Sequence, residues 1–352
     1  MPIDFTKKLL KWNREQNFRL MPWKKETNPY RIWLSEIILQ QTRVDQGMAY
    51  YEKFLVAFPT ITALANASEK EIFKLWEGLG YYTRCRNLIA TAKIIAGEQH
   101  GRFPSTYQEI LALPGIGPYT AAAIASFAFG LPYAVVDGNV ERVLARYFGI
   151  SMPTGSSAGK KLYHTLAGEL LDKKSPASYN QAIMDFGATV CKPRNPLCSE
   201  CIQAKNCQSL QNGWTKVLPR KRPISPRKER WFYYFIVEAG KNKWWIRKRE
   251  EKDIWQNLYE FVLWETGKLI PQERISEIPF LRKYFGKKGF QIRHISTPVH
   301  QLLTHQSITG YFIHLNNTLA EFPGYQSVSG KRLRAFPFPK MIADYIASQR
   351  CF

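Results

Sequence analysis

A break in residue patterning near position 215 limits the folds open to this 352-residue chain more than any other feature. Before it, the sequence predicts helices: a long apolar-rich run over Arg31–Phe58, free of Gly and Pro except Gly47, then stretches at Glu69–Gly78, Arg86–Gly97, Tyr107–Leu113, Tyr119–Phe129, Asn139–Tyr147, Lys160–Asp172 and Tyr179–Val190. Gly, Pro and Ser punctuate these stretches. Residues 215–230 then hold three prolines and seven basic residues against one Glu, the composition of an extended, charged linker. Beyond it, Trp231–Val237, Lys243–Arg249, Tyr259–Trp264 and Tyr311–Leu315 are short aromatic or β-branched runs, the pattern of strands. The expected architecture is therefore multidomain: an all-α domain over 1–214, a basic Pro-rich linker over 215–229, and an α+β domain over 230–352.

Charge narrows the partner. Fifty Lys and Arg face 28 Asp and Glu, a formal net charge of +22. The excess is +8 up to residue 211 (25 basic, 17 acidic) and +14 beyond it (25 basic, 11 acidic). Such a surplus favours a polyanion, because neutralising phosphates releases condensed counterions. Nucleic acid is the favoured partner; a soluble protein merely far from its isoelectric point, or one that touches acidic lipid, is the alternative. At 45% hydrophobic and 14% aromatic residues, the chain can bury sizeable cores. No run approaches the roughly 20 apolar residues of a membrane span. The opening MPIDFTKKLLKWNREQ lacks the apolar stretch and cleavage site of a secretory signal, so a soluble intracellular protein is expected. Gly155 to Lys161 resembles a phosphate loop but is one residue short and has no Ser or Thr after the Lys.

Three constellations carry chemistry. Cys191, Cys198, Cys201 and Cys207 are spaced C-x6-C-x2-C-x5-C, and four clustered thiols in a reducing compartment imply a metal. Zinc ribbons bring two close pairs; one compact loop with a single close pair favours a cubic iron–sulfur cluster, with zinc the alternative. Next, Leu113-Pro-Gly115-Ile-Gly117-Pro-Tyr119-Thr120 sets two glycines in a tight turn ahead of a helix, whose free amides can hold a phosphate. An ordinary helix–helix turn would use the same residues. Twenty residues on, Asp137 precedes a helical run, where an ionised carboxylate is favoured, either as a plain cap or as a functional anion. Finally, Glu36 shares a helical face with Ile32, Leu39 and Gln40; apolar surroundings would raise its pKa and keep a proton available near neutrality.

Helix–hairpin–helix, downstream Asp and four-cysteine loop together resemble the endonuclease III superfamily of DNA glycosylases. Trp33-Leu-Ser-Glu36 through Leu39-Gln-Gln-Thr42, with Trp76-Glu-Gly-Leu79-Gly80-Tyr81-Tyr82, resembles its MutY branch, the adenine DNA glycosylases, densely over residues 5–210. The resemblance implies excision of adenine mispaired with 8-oxoguanine or guanine in double-stranded DNA, a [4Fe–4S] cluster on the four cysteines, and a monomeric enzyme of the cytoplasm, associated with the nucleoid. It assigns Glu36 as the acid that protonates adenine and then activates water. Asp137 becomes the anion facing the sugar cation, with Tyr119 and Asn139 in support. Trp23, Lys24 and Gln181 match pocket positions, Lys24 standing where the family often has Arg. Gln41, Thr42, Leu79 and Tyr81 match residues that probe or wedge the opposite strand, and Gly115 and Gly117 the phosphate-binding hairpin.

Bifunctional relatives carry a lysine where this chain has Tyr119. A phenol cannot form the Schiff base that precedes strand cleavage, so the resemblance implies a monofunctional glycosylase. The C-terminal domain, clearest at Asp253-Ile-Trp-Gln-Asn-Leu-Tyr259-Glu-Phe261, resembles the Nudix-like recognition domain of that branch. It lacks the Glu-rich helix that holds magnesium in Nudix hydrolases. Leu303-Thr304-His305 aligns with the family's Phe-Ser-His reader of 8-oxoguanine, with Thr304 and His305 as the contacts. Two other readings stand beside this one: a bifunctional endonuclease III-like enzyme for pyrimidine lesions or mismatched thymine, and a catalytically idle DNA-binding protein.

Overall fold

The computed structural model describes residues 2–19, 21, 24–222, 226–285, 289–316 and 321–349. The described residues of Met1–Asn66 with Asn87–Pro223 make one compact unit, and those of Ala67–Arg86 with Ile224–Phe352 make the other.

The first unit is helical: α1 (Pro2–Glu15), α2 (Pro29–Leu39), α3 (Val44–Ala57) and α4 (Ile61–Asn66) precede the excursion. After α5 (Glu69–Trp76), α6 (Tyr82–Glu98) brings the chain back, and α7 (Tyr107–Ala112), α8 (Pro118–Phe129), α9 (Gly138–Phe148), α10 (Ser157–Leu170) and α11 (Pro176–Thr189) complete it. Local chemistry sets most boundaries. Asn28 accepts from the Tyr30 and Arg31 amides with Pro29 at the first helical position, and Thr106 with Glu109 forms a reciprocal capping box on α7. Gly130 and Gly149 end α8 and α9 in the left-handed conformation. The phosphate-loop look-alike is simply the start of α10, where the Ser156 hydroxyl accepts from the Gly159 amide.

One expectation fails. Arg31–Phe58 is two helices, parted by a turn at Gln40–Arg43 in which Gln41 takes φ 56°. The break is held by a distant partner, since Gln40 Nε2 donates to Thr120 Oγ1 at 3.2 Å. One core cluster joins Phe5, Leu9 and Trp12 of α1 to Val140, Val143 and Leu144 of α9, Tyr163 of α10 and Ile183 and Phe186 of α11. Each such side chain contributes about 1.5–3 kcal/mol on burial, which fixes α9 and α11 as the frame of the site.

The second unit is α+β, with a sheet of β1 (Lys228–Val237), β2 (Lys243–Lys248), β3 (Tyr259–Thr266), β4 (Gln291–Ile295), β5 (Val299–Leu302), β6 (Gln306–Asn316) and β7 (Gln326–Ser329). The order is β4-β6-β1-β3-β2-β7, with β5 also paired to β6. β1 and β6 run parallel, in a register that stacks Tyr233 on Tyr311 and Tyr234 on Phe312 at centroid distances of 5.4 and 5.3 Å. The four expected strands are present; β4, β5 and β7 are additions.

Candidate active site and cysteine loop

α2, α8, α9 and α11 surround a cavity of about 740 Å³ in the first unit. Glu36, Tyr119, Asp137 and Asn139 line it, as do Lys24, Gln41, Thr42 and Gln181. Eight of the residues singled out in the sequence therefore share one cavity; Trp23 lies outside the described residues. Burial pushes the Glu36 carboxyl up to about 7; hydrogen bonding to Tyr119 pulls it back, and the charge of Asp137 pushes it further. The Tyr119 hydroxyl itself is driven well above the ordinary phenol range, first by burial and then by the two carboxylates, so it stays protonated.

Asp137 caps α9. Its Oδ1 accepts from the Asn139 and Val140 amides, both at 2.8 Å, and its Oδ2 from Asn139 Nδ2 at 2.6 Å. Burial raises its pKa, while these three donors favour the anion and oppose the rise. Two carboxyls with different surroundings thus face one cavity. Behind them, buried Arg142 donates to Asn139 Oδ1 at 2.8 Å, to the Gly187 carbonyl at 2.7 Å and to the Cys191 carbonyl at 2.8 Å. α11 meets α9 at Gly187, where an added Cβ would come within 2.7 Å of Asn139 Cβ and 2.9 Å of its carbonyl oxygen.

Lys24 does not point a free ammonium into the cavity. It donates to the Arg19 carbonyl at 3.0 Å and to Asp185 at 3.2 Å. Asp185, fully buried one turn after Gln181 on α11, also accepts from Arg19 at 2.8 Å and Asn17 at 2.9 Å. The sequence reading missed Asp185, Arg19 and Arg142. The available signal was a lone acid four residues beyond Gln181 in an apolar helix. In the hairpin between α7 and α8, Gly115 takes φ 73°, and no side chain caps the amides that begin α8 at Gly117.

All four loop cysteines are free and partly buried, and they line one small cavity with Arg146. Burial, with the other three thiols nearby, drives Cys201 up to about 11. Among the described residues no group of three or more His, Cys, Asp or Glu stands in ready metal-binding geometry. The donor set nevertheless suits a thiophilic, positively charged group: four sulfurs from one loop on one cavity, whose described lining holds no carboxylate or imidazole. Arg146 braces the loop, donating to the Lys192 carbonyl at 2.7 Å and the Pro193 carbonyl at 3.1 Å.

In the second unit, Tyr81 is 47% exposed and its hydroxyl lies 3.1 Å from Thr304 Oγ1, whereas Leu79 is buried. Thr304 and His305 are exposed in the turn between β5 and β6. That turn is held by the Leu303 amide donating to Gln306 O at 2.8 Å and the Lys228 amide donating to His305 O at 2.9 Å. Three acids of this unit are held by arginines. Fully buried Glu260 is paired with Arg247 and Arg249, and Arg230 is bonded to both Asp253 and Glu265 at 2.6 Å. The helix Pro279–Phe285 carries two cations and no carboxylate. No magnesium-holding acidic helix is formed among these residues.

Residues 34–165 match the model for the HhH-GPD superfamily base excision DNA repair protein, and residues 233–348 that for the NUDIX domain. The chain is similar to the adenine DNA glycosylase of Buchnera aphidicola subsp. Schizaphis graminum, 37% identical over 283 residues, which cover 79% of this chain and 78% of that protein. It is similar to human adenine DNA glycosylase, 41% identical over 216 residues, 59% of this chain and 39% of that one. Among solved structures, a thermostable thymine-DNA glycosylase superposes with TM-score 0.55 at 32% identity, over 59% of this chain and 95% of that chain. Endonuclease III in a non-covalent DNA complex superposes with TM-score 0.51 at 20% identity, a likeness of fold, over 59% of this chain and 94% of that one. No described helix is long and apolar enough to cross a membrane.

Proposed function

Because this chain belongs to the adenine DNA glycosylases of base excision repair, we propose that it removes adenine paired with 8-oxoguanine or guanine from duplex DNA and leaves the strand intact. The adenine swings out of the stack into the 740 Å³ cavity. Glu36, protonated near neutrality, gives its proton to N7. The bond between C1′ and N9 breaks, its electron pair departing with the base. The Asp137 anion, held by its three donors, lowers the energy of the oxocarbenium-like sugar. Glu36, now a carboxylate, takes a proton from the water whose oxygen bonds C1′. Tyr119 holds the acid, Asn139 holds the anion, and Lys24 and Gln181 shape the pocket, with Trp23 assigned to adenine by the resemblance alone. Gln41, Thr42, Leu79 and Tyr81 attend to the opposite strand, Thr304 and His305 to its 8-oxoguanine, and Gly115 and Gly117 to a backbone phosphate. The observation that carries this reading is the pair of carboxyls on one cavity, with Glu36 raised to about 7 and Asp137 capped by N–H groups.

Cys191, Cys198, Cys201 and Cys207 would hold a [4Fe–4S] cluster, which when bound would cross-link the loop, while Lys192, Arg194 and Lys205 of that loop supply its positive charge toward DNA. The enzyme acts as a monomer, in the cytoplasm at the nucleoid. The rival reading is a bifunctional enzyme for thymine or damaged pyrimidines, in keeping with the thymine-DNA glycosylase likeness; the phenol of Tyr119 offers no amine for its imine. A labelled duplex with A opposite 8-oxoguanine and a matching T:G duplex test both. Breaks at the adenine that form only after alkali support the proposal and no breaks under either condition remove it; breaks without alkali at the thymine of the T:G duplex favour the rival, and an intact T:G duplex removes it.

A further inference from the structure

The turn that presents Tyr81 is strained and anchored at both ends. Gly78 and Gly80 take φ 94° and 71°, and Tyr81, which is not glycine, takes φ 47°. A side-chain-bearing residue keeps that conformation only where its surroundings enforce it. Trp76 Nε1 donates to the Gly80 carbonyl at 3.0 Å, and the Arg84 guanidinium lies 5.3 Å from the centroids of both the Trp76 and Tyr81 rings. Beyond Tyr81, the hydroxyl meets Thr304; before it stands Glu77.

Glu77 answers a specific need. In Pro337-Phe338-Pro339 only Phe338 has a backbone N–H, which donates to Glu77 Oε1 at 3.0 Å. The flanking prolines stiffen this stretch, and Pro337 O accepts from the Tyr259 amide of β3 at 2.8 Å, so the anchor is tied to the sheet. The other Glu77 oxygen pairs with Lys74, whose Nζ also donates to the Phe336 carbonyl at 3.2 Å. One carboxylate therefore connects a rigid point of the sheet to the turn that aims Tyr81 at Thr304.

We propose that Glu77 is a positioning residue that fixes Tyr81 against the turn carrying Thr304 and thereby sets discrimination at the base opposite adenine. This rests on the reading of Thr304 and His305 as the opposite-base contacts. The test measures single-turnover excision on A:8-oxoguanine and A:G duplexes by the full-length protein. Glu77→Ala should reduce the ratio of the two rates roughly tenfold, the order expected for one charge-assisted hydrogen bond. Glu77→Gln, which keeps an acceptor for the Phe338 amide, should restore most of it. A merely structural role would lower both rates together and leave the ratio alone. If Glu77→Ala does not fold, Lys74→Met takes its place and should lower the ratio severalfold. A ratio within twofold of wild type in the folded variant, or a Glu77→Gln protein no better than Glu77→Ala, overturns the proposal. Wild type without preference between the two duplexes, or a Thr304→Ala, His305→Ala protein that keeps it, overturns the reader assignment and this proposal with it. A Thr304 effect without a Glu77 effect overturns the positioning role alone.

Discussion

Replacing Glu36 by Gln should separate stability from catalysis in a way that depends on pH. The carboxyl rises from its ordinary 4.5 to about 7 in the folded protein, mainly through burial. Between those two values the folded chain holds a proton that the unfolded chain has released. Stability therefore falls as pH climbs through this window and levels off above it. At about 1.36 kcal/mol per tenfold change in acidity, the full penalty above pH 7 is about 3 kcal/mol. Part of the side chain reaches solvent, so about half of that is the better expectation after screening. Gln keeps the shape without the ionisation. At pH 8 it should melt higher than wild type by about 3–6 °C, using roughly 2–4 °C per kcal/mol for a unit of this size, and the gap should close toward pH 4.5. Excision should meanwhile fall by far more than the 10²–10⁴-fold or so typical of one acid–base group, because Glu36 both gives and takes a proton. Calorimetry across pH 4.5–8 and single-turnover excision read the two halves. A melting gap that ignores pH refutes the desolvated acid, and near-normal excision refutes its catalytic role.

Purified protein should be brown, with about four irons per chain, and Cys201→Ser should cost folding or DNA affinity more than the chemical step; stoichiometric zinc without iron in anaerobic preparations would contradict the cluster. Tyr119→Lys should acquire some borohydride-trappable complex with DNA that wild type lacks, read as a slow-migrating band on denaturing gels. Thr304→Ala with His305→Ala should lower the preference for 8-oxoguanine over guanine while leaving phosphate-driven affinity in place, as binding isotherms on the two duplexes would reveal.

Residues whose chemistry is their own were legible in sequence. Residue type and spacing singled out Glu36 and Asp137, which share one cavity, and the four cysteines, which share another, and Pro and Gly marked most helix ends. What escaped depends on partners far along the chain. The break at Gln40–Arg43 contains neither Gly nor Pro and is tied down by Thr120. β4, β5 and β7 are short and largely polar, and exist through their ladders with β6 and β2. Asp185 and Arg142 are defined by partners contributed from other helices and loops. Nor does any local pattern signal that 67–86 packs with 224–352. Its buried Ile72, Phe73 and Trp76 make truncation near 230 a harsher test of the recognition unit than point substitution.

The crossing at Gly187 has a consequence for reading natural variation. The space there is narrower than a methyl group and is bounded by the main chain of Asn139, which no rotamer change can move aside. Even alanine would push apart the two helices that set where the Asp137 carboxylate sits. A substitution at this position would pass for a mild, conservative change of a residue with no chemistry of its own, yet it would disturb the seat of the anion. Genetic screens that rank severity by side-chain similarity will misjudge it; those that rank by clearance will not.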